Sequence, residues 1–136
     1  MINLTSFEQA VMEKLLSGSD EALAILRAQL EKSTVVERDL TGVGFFLTFR
    51  LDDSSVMRLG TDKLTFGDVV AEIPGIEGGV GFLLYVRDGV LHQLEGYTFG
   101  GEPWPSIVSD FKLSYAAALA GPFNRNMPEA KSSNLH

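Results

Sequence analysis

The chain has 136 residues, no cysteine and a formal net charge of −7 at pH 7. This is the length of one domain, and the missing thiols exclude disulfides, thiolate catalysis and sulfur-ligated zinc. The acidity argues against a nucleic-acid ligand, whose affinity rests on lysine and arginine displacing counterions, while 45% hydrophobic residues suffice for a core without a metal staple.

The first segment reads as two helices. Thr5 followed by Glu8 fits a capping box, in which hydroxyl and carboxylate satisfy orphan N–H groups. Leu4, Phe7, Val11 and Leu15 fall at spacings of three and four and make one apolar stripe. Ser17-Gly18 ends this helix. Ser19 is the expected N-cap of the next, with Asp20 and Glu21 complementing its N-terminal dipole. Leu23, Leu26 and Leu30 form its apolar face, which assigns Arg27, Gln29, Glu31 and Lys32 to solvent. So short a connection predicts an antiparallel helical hairpin.

At Thr34 the period changes from helical to alternating. Thr34 to Leu40 reads as a strand turning at Thr41-Gly42. In the next, Val43, Phe45, Leu47, Phe49 and Leu51 share one face, and Gly44, Phe46, Thr48 and Arg50 the other. That is the pattern of a strand covered on one side. After the polar turn Asp52 to Ser55, a short strand is expected over Val56 to Leu59, then another near Leu64 to Ile73. Val80 to Val86 and Leu91 to Tyr97 flank Asp88-Gly89, a strong hairpin signal because both turn residues need positive φ. A two-residue loop pairs Arg87 with Val90, Val86 with Leu91, Tyr85 with His92, Leu84 with Gln93, Leu83 with Leu94 and Phe82 with Glu95. The first of these strands is apolar on both faces and belongs in the sheet centre. Gly96 to Pro105 is a loop, and Phe111, Leu113 and Tyr115 mark a final strand.

The whole predicts an α+β domain over residues 1–120, an N-terminal helical hairpin packed on a mainly antiparallel sheet of about six strands. Residues 121–136, with two prolines, three asparagines and little periodicity, read as a disordered tail.

Candidate site residues are few. His92 is the only interior histidine, and the expected register sets Tyr85 across from it; as a metal site it lacks ligands. Asp68, Glu72 and Glu95 interrupt apolar strands, and two strand carboxylates on one face do acid–base chemistry when burial raises one pKa. The plainer reading puts them on a solvated face, since carboxylates rarely bury. Gly75, Gly78, Gly79 and Gly81 lead into a strand and not a helix, so they form a turn and no phosphate cradle. In Glu102-Pro103-Trp104-Pro105 two prolines hold the only tryptophan nearly fixed. It either anchors an interface at low entropic cost or folds back to cap an open end of the core.

The segments Thr41-Gly42-Val43-Gly44-Phe45-Phe46, Gly67 to Ile73, Gly81 to Gly89, Leu94-Glu95-Gly96-Tyr97-Thr98 and Glu102-Pro103-Trp104-Pro105 together resemble a family of small uncharacterised bacterial proteins. The resemblance covers about half the chain. It implies a bacterial, cytoplasmic protein and carries no activity and no catalytic residue.

The sequence therefore points first to a non-enzymatic protein-binding domain for a basic partner, in general character like immunity proteins that neutralise basic toxins. Trp104, Glu102, Glu95, Glu72, His92 and Tyr85 are its candidate contact residues. A second reading is a small-ligand domain or enzyme built on Glu72, Glu95, His92 and Tyr85. A third is a homodimer formed through an unpaired sheet edge. No cofactor, metal or nucleic acid is expected. Met1 to Phe7 has no signal-peptide pattern, and the longest nearly uncharged run, Gly78 to Val86, is too short to span a bilayer, so a cytoplasmic location without membrane attachment is expected.

Overall fold

The computed structural model describes residues 2–116, 119 and 121–125. Two helices, α1 (Ser6–Leu15) and α2 (Glu21–Glu31), precede seven strands: β1 (Ser33–Leu40), β2 (Gly44–Leu51), β3 (Leu64–Phe66), β4 (Val69–Ile73), β5 (Ile76–Arg87), β6 (Val90–Thr98) and β7 (Lys112–Tyr115). The pairing is antiparallel throughout, in the order β1-β2-β6-β5-β4-β7, with β3 on the same side of β5 as β4. The domain is α+β, as its patterning requires.

Helix α1 starts where the capping box places it. Glu8 N–H donates to the Thr5 hydroxyl at 3.1 Å and Thr5 N–H to the Glu8 carboxylate at 2.9 Å. The cap of α2 is Asp20 and not Ser19: the extended backbone falls at Asp20, whose carboxylate accepts from Ala22 N–H at 2.9 Å. Both helices cover the sheet face that carries Phe45, Leu47 and Phe49. There Phe7, Val11, Met12, Leu15, Leu23 and Leu26 join Phe82, Leu84, Leu91 and Leu94 in one apolar cluster. Phe7 packs on Phe82 with ring centroids 5.8 Å apart and edge-on to Phe111 at 5.0 Å.

Gln29, assigned to solvent by its polarity, is fully buried. Its side-chain amide donates to Gly89 O at 2.9 Å and Met57 O at 3.0 Å, and its oxygen accepts from Leu91 N–H at 2.9 Å. Those partners are main-chain groups of the β5–β6 turn and its neighbour; of them the Leu91 N–H is buried under the helix and takes its bond from Gln29. The turn itself is as expected, with positive φ at Asp88 (56°) and Gly89 (74°).

The ladder beyond that turn differs from the simple two-residue-loop register. Arg87 faces Val90 and Val86 faces Leu91, but Tyr85 then faces Gln93, Leu84 faces Leu94, Leu83 faces Glu95 and Phe82 faces Gly96. His92 is the extra residue of a β-bulge. The cause is the core: Leu84 and Val86 are two apart, whereas Leu91 and Leu94 are three apart, and all are buried. Only one inserted residue puts both leucines on the covered face.

Three other expectations are corrected. Val56 to Leu59 is not a strand; Leu59 N–H donates to Gly89 O and Gly89 N–H to Asp62 O, both at 3.0 Å, so this segment braces the hairpin turn. The strand expected over Leu64 to Ile73 is two strands, because β3 pairs with the far end of β5 (Leu84 to Val86) and β4 with its beginning. Strand β5 starts at Ile76, so Gly78 to Gly81 belong to a strand that follows the Pro74-Gly75 turn.

The expected disordered tail begins within the packed structure. The Arg125 side chain, 5% exposed, pairs with the equally buried side chain of Asp68 (Nε to Oδ2 2.8 Å, Nη2 to Oδ1 3.0 Å). Its guanidinium also donates to Ser17 O and Leu15 O, capping the end of α1, and stacks over Tyr115 at 4.6 Å. Residues 126–136 lie outside the described residues. Among the described residues no helix is long and apolar enough to cross a membrane.

Candidate functional site: the open face of the sheet

Alternation along the strands fixes what faces away from the helices. Register carries one row across the sheet from Glu37 through Thr48, Gln93 and Tyr85 to Thr65. The next row runs from Asp39 through Phe46 and Glu95 to Leu83, and a third from Gly44 through Tyr97, Gly81 and Val70 to Ser114. Apart from the Phe99 ring, from the turn after β6, no described helix or loop covers these rows, and their side chains are half-buried or exposed wherever they are larger than glycine.

The centre of this face is aromatic and apolar. Tyr97 and Phe99 meet edge-to-face at 5.5 Å. They lie over Gly81, where a Cβ would come within 2.7 Å of the Phe99 ring and 2.9 Å of Tyr97, so glycine is what lets both rings come this close to β5. Phe46, Leu83 and Val70 extend the patch. Its edges carry the carboxylates Glu37 and Asp39 on β1 and Glu72 on β4, while Glu95 on β6 lies within it, between Phe46 and Leu83. Basic residues on the same face are Arg50, paired with Asp52 at 2.9 Å, Lys112, opposite Glu72, and Arg87 at the far end of β5.

Tyr85 and Glu95 come together. The tyrosine hydroxyl donates to Glu95 Oε1 at 2.8 Å, because the bulge aligns Tyr85 with Gln93 and sets Glu95 on the diagonal of the same face. Burial, and next the hydrogen bond to Glu95, push the Tyr85 phenol up to about 12. Burial and the Glu95 charge push Tyr97 up as well. A phenol held in its protonated form is a hydrogen-bond donor and not a base at neutral pH.

The remaining candidates do not converge on that pair. Glu72 is two strands from Glu95 and four residues along the ladder, on the order of 15 Å away by strand spacing and rise. Two carboxylates so placed do not share one substrate bond. His92 sits at the bulge beside Arg58, Arg87 and Asp88, and burial, then the Arg87 charge, lower its pKa. Among the described residues no group of three or more His, Asp or Glu side chains has the geometry to hold a metal ion.

Glu102 and Trp104 lie at the end of the sheet. Gly78 N–H donates to one Glu102 carboxylate oxygen at 2.8 Å and Gly100 N–H to the other at 3.1 Å, while the Thr98 hydroxyl donates to Glu102 O at 2.8 Å. These backbone donors, that of Gly78 first, hold the Glu102 carboxyl below its usual range. Trp104 N–H donates to Gly42 O at 2.8 Å, and the indole turns back onto Phe45 (5.2 Å) and Phe7 (6.1 Å). Of the two readings of the tryptophan, capping an open end of the core is the one its contacts describe. Its outer surface lines a groove of about 380 Å³ with Phe45, Leu40, Ile107, Val108 and the Glu8–Arg38 ion pair. Leu40 and Ile107 are 71% and 79% exposed at its rim.

Sequence reasoning picked out the interruptions of apolar strands (Glu72, Glu95) and missed the surface they border. Phe46, Leu83, Tyr97 and Phe99 gave no signal as separate residues. The signal was the alternation of β2, which puts Phe46 on the opposite face from Phe45 and Leu47, so that one aromatic had to point away from the helices. No family model matches the chain, and no curated protein or solved structure matches it either.

Proposed function

We propose that this is a non-enzymatic protein-binding domain whose open sheet face receives a basic protein partner in the cytoplasm. The observation that carries the reading is the patch itself: Phe46, Leu83, Tyr97 and Phe99 on a sheet face without a covering layer among the described residues, with Glu95 among them and Glu37, Asp39 and Glu72 at the border. Protein interfaces place aromatics at a desolvated centre and charges at the rim. The net charge of −7 adds long-range attraction for a cationic surface. Neutralisation of a basic toxin, as immunity proteins perform it, is the biological form that fits this chemistry.

Capture from a lysate of the source organism tests the reading when three conditions are imposed together. The captured protein must be basic, it must be released by moderate salt, and it must be lost to a variant carrying Asp39→Lys and Glu72→Lys. Both substituted side chains are exposed and in no described hydrogen bond, and since a lysine at position 72 would face Lys112 across β4 and β7 the variant is used only after its circular dichroism spectrum matches that of the wild type. A captured protein that is acidic, or that the variant holds equally well, contradicts the proposal.

A further inference from the structure

The acidic border of the open face ends at β1, and β1 is a terminal strand of the sheet. Among the described residues the main chain meets its outer side only at its beginning, by a single bridge from Ile2 to Val35. From Glu37 to Leu40 the outward main-chain groups have no main-chain partner among the described residues. Unpaired N–H and C=O groups in a row are a template for another strand.

What flanks this edge differs above and below. On the open side Glu37 and Asp39 point outward, both exposed. On the helix side, where Arg38 and Leu40 point, lies the groove of about 380 Å³ floored by Phe45 and Trp104 and rimmed by Leu40, Ile107 and Val108. The cation that lines it, Arg38, is already paired with Glu8, Nη2 to Oε1 2.6 Å.

We infer that the edge of β1 from Glu37 to Leu40 takes an extended segment of the partner, alternating basic and apolar residues, as an additional strand. This rests on the reading of the domain as a binder of a basic protein. Main-chain hydrogen bonds to the edge supply affinity, and alternate side chains supply specificity. Apolar side chains enter the groove beside Trp104 and Ile107, while lysine or arginine side chains lie on the open side against Glu37 and Asp39. A second copy of this chain is a poor occupant. Two β1 strands paired antiparallel about a two-fold axis at Arg38 set Glu37 against Asp39, and like charges directly opposite destabilise a ladder.

The probe is a capped peptide of roughly seven alternating lysine and leucine residues, a length that spans a typical strand, titrated into isotopically labelled full-length protein and read by amide chemical shifts. Two control peptides accompany it, one with glutamate for lysine and one N-methylated on alternate backbone nitrogens. The amides of Glu37 to Leu40 and the Trp104 indole shift, and either control weakens binding by about tenfold or more, as the loss of a few hydrogen bonds or charge pairs requires. The Glu37→Lys/Asp39→Lys variant, folded by its dispersed spectrum, loses affinity to the same degree. Equal binding of the N-methylated peptide overturns the inference, as does the absence of any shift at millimolar peptide. Shifts confined to Phe46, Tyr97 and Phe99 also overturn it, yet leave the basic-partner reading standing. Failure of that reading shows separately, in the lysate capture.

Discussion

Tyr85 donates a hydrogen bond to Glu95 at 2.8 Å across β5 and β6 only because His92 is the extra residue in the ladder. Without the bulge Glu95 would face Phe82 on the covered side and leave a carboxylate against the core. The bulge thus does two things: it keeps Leu91 and Leu94 both buried and it delivers Glu95 to the open face.

Deletion of His92 is therefore tolerated. In the shortened strand Leu91 still faces Val86, Gln93 faces Tyr85 and Leu94 faces Leu84 in an unbroken ladder. Urea denaturation is expected to show a loss of about 1 kcal/mol or less, the scale of an ordinary single change. Deletion of Leu83 from β5, which turns the strand over, is expected to abolish folding. Unfolding of the His92 deletion would show that the bulge has a role beyond register.

Replacement of Gln29 by leucine keeps the volume and removes every partner of Leu91 N–H, Gly89 O and Met57 O that the side chain supplies. Gly89 O keeps its bond from Leu59 N–H and Met57 is exposed, so the buried Leu91 N–H carries most of the loss, and the expected cost is about 2 kcal/mol in the unfolding free energy extrapolated to water. A loss below about 0.5 kcal/mol, the range of surface substitutions, would mean that water reaches the turn.

Arg125→Met leaves Asp68 buried without its cation and costs about 3–5 kcal/mol. Adding Asp68→Asn to it recovers part of that loss, because the orphaned charge is what is expensive. Thermal unfolding of the two single variants and the double variant measures the coupling. Full additivity would show that the pair is not a unit.

Acidification erodes stability in two steps. The folded-state pKa of His92 is depressed, by burial first and Arg87 second, so its contribution is present above the unfolded value of about 6.5 and is lost as the pH falls below it. Glu102 is likewise depressed, by Gly78 N–H first, and its contribution disappears as the pH drops through the ordinary glutamate range. The urea midpoint of the wild type falls between pH 7 and 5. The His92→Asn variant is flatter across that interval, and Glu102→Gln is flatter only below it. Identical pH profiles for all three would contradict both assignments.

Much of the fold was legible because local chemistry and global pattern agree. The Thr5–Glu8 box, the Asp88-Gly89 turn and the Phe45, Leu47, Phe49 alternation each have one physical solution, and the structure adopts it. What escaped was non-local. Gln29 looks like a solvated helix residue until the turn of another hairpin is placed against it, although its spacing of three from Leu26 sets it on the apolar stripe. The bulge was written in the three-residue spacing of Leu91 and Leu94 against the two-residue spacing of Leu84 and Val86, a comparison between strands that neither strand carries alone. Arg125 reads as tail until Asp68, at the break between β3 and β4, is known to be buried. Of the site, single residues such as Tyr85 and Glu95 were legible, and the surface joining them was not, since it exists only once the helices have covered the other face.

The open sheet face is the surface proposed to receive a basic partner. Hydroxyl-radical footprinting of the complex with the captured protein tests this most directly, because Phe46, Tyr97 and Phe99 are reactive rings on that face. All three are expected to be protected in the complex, while Tyr115, packed under Lys14 and Arg125 near the end of α1, keeps its free-state reactivity. Unchanged labelling of Phe46, Tyr97 and Phe99 in a saturated complex would contradict it.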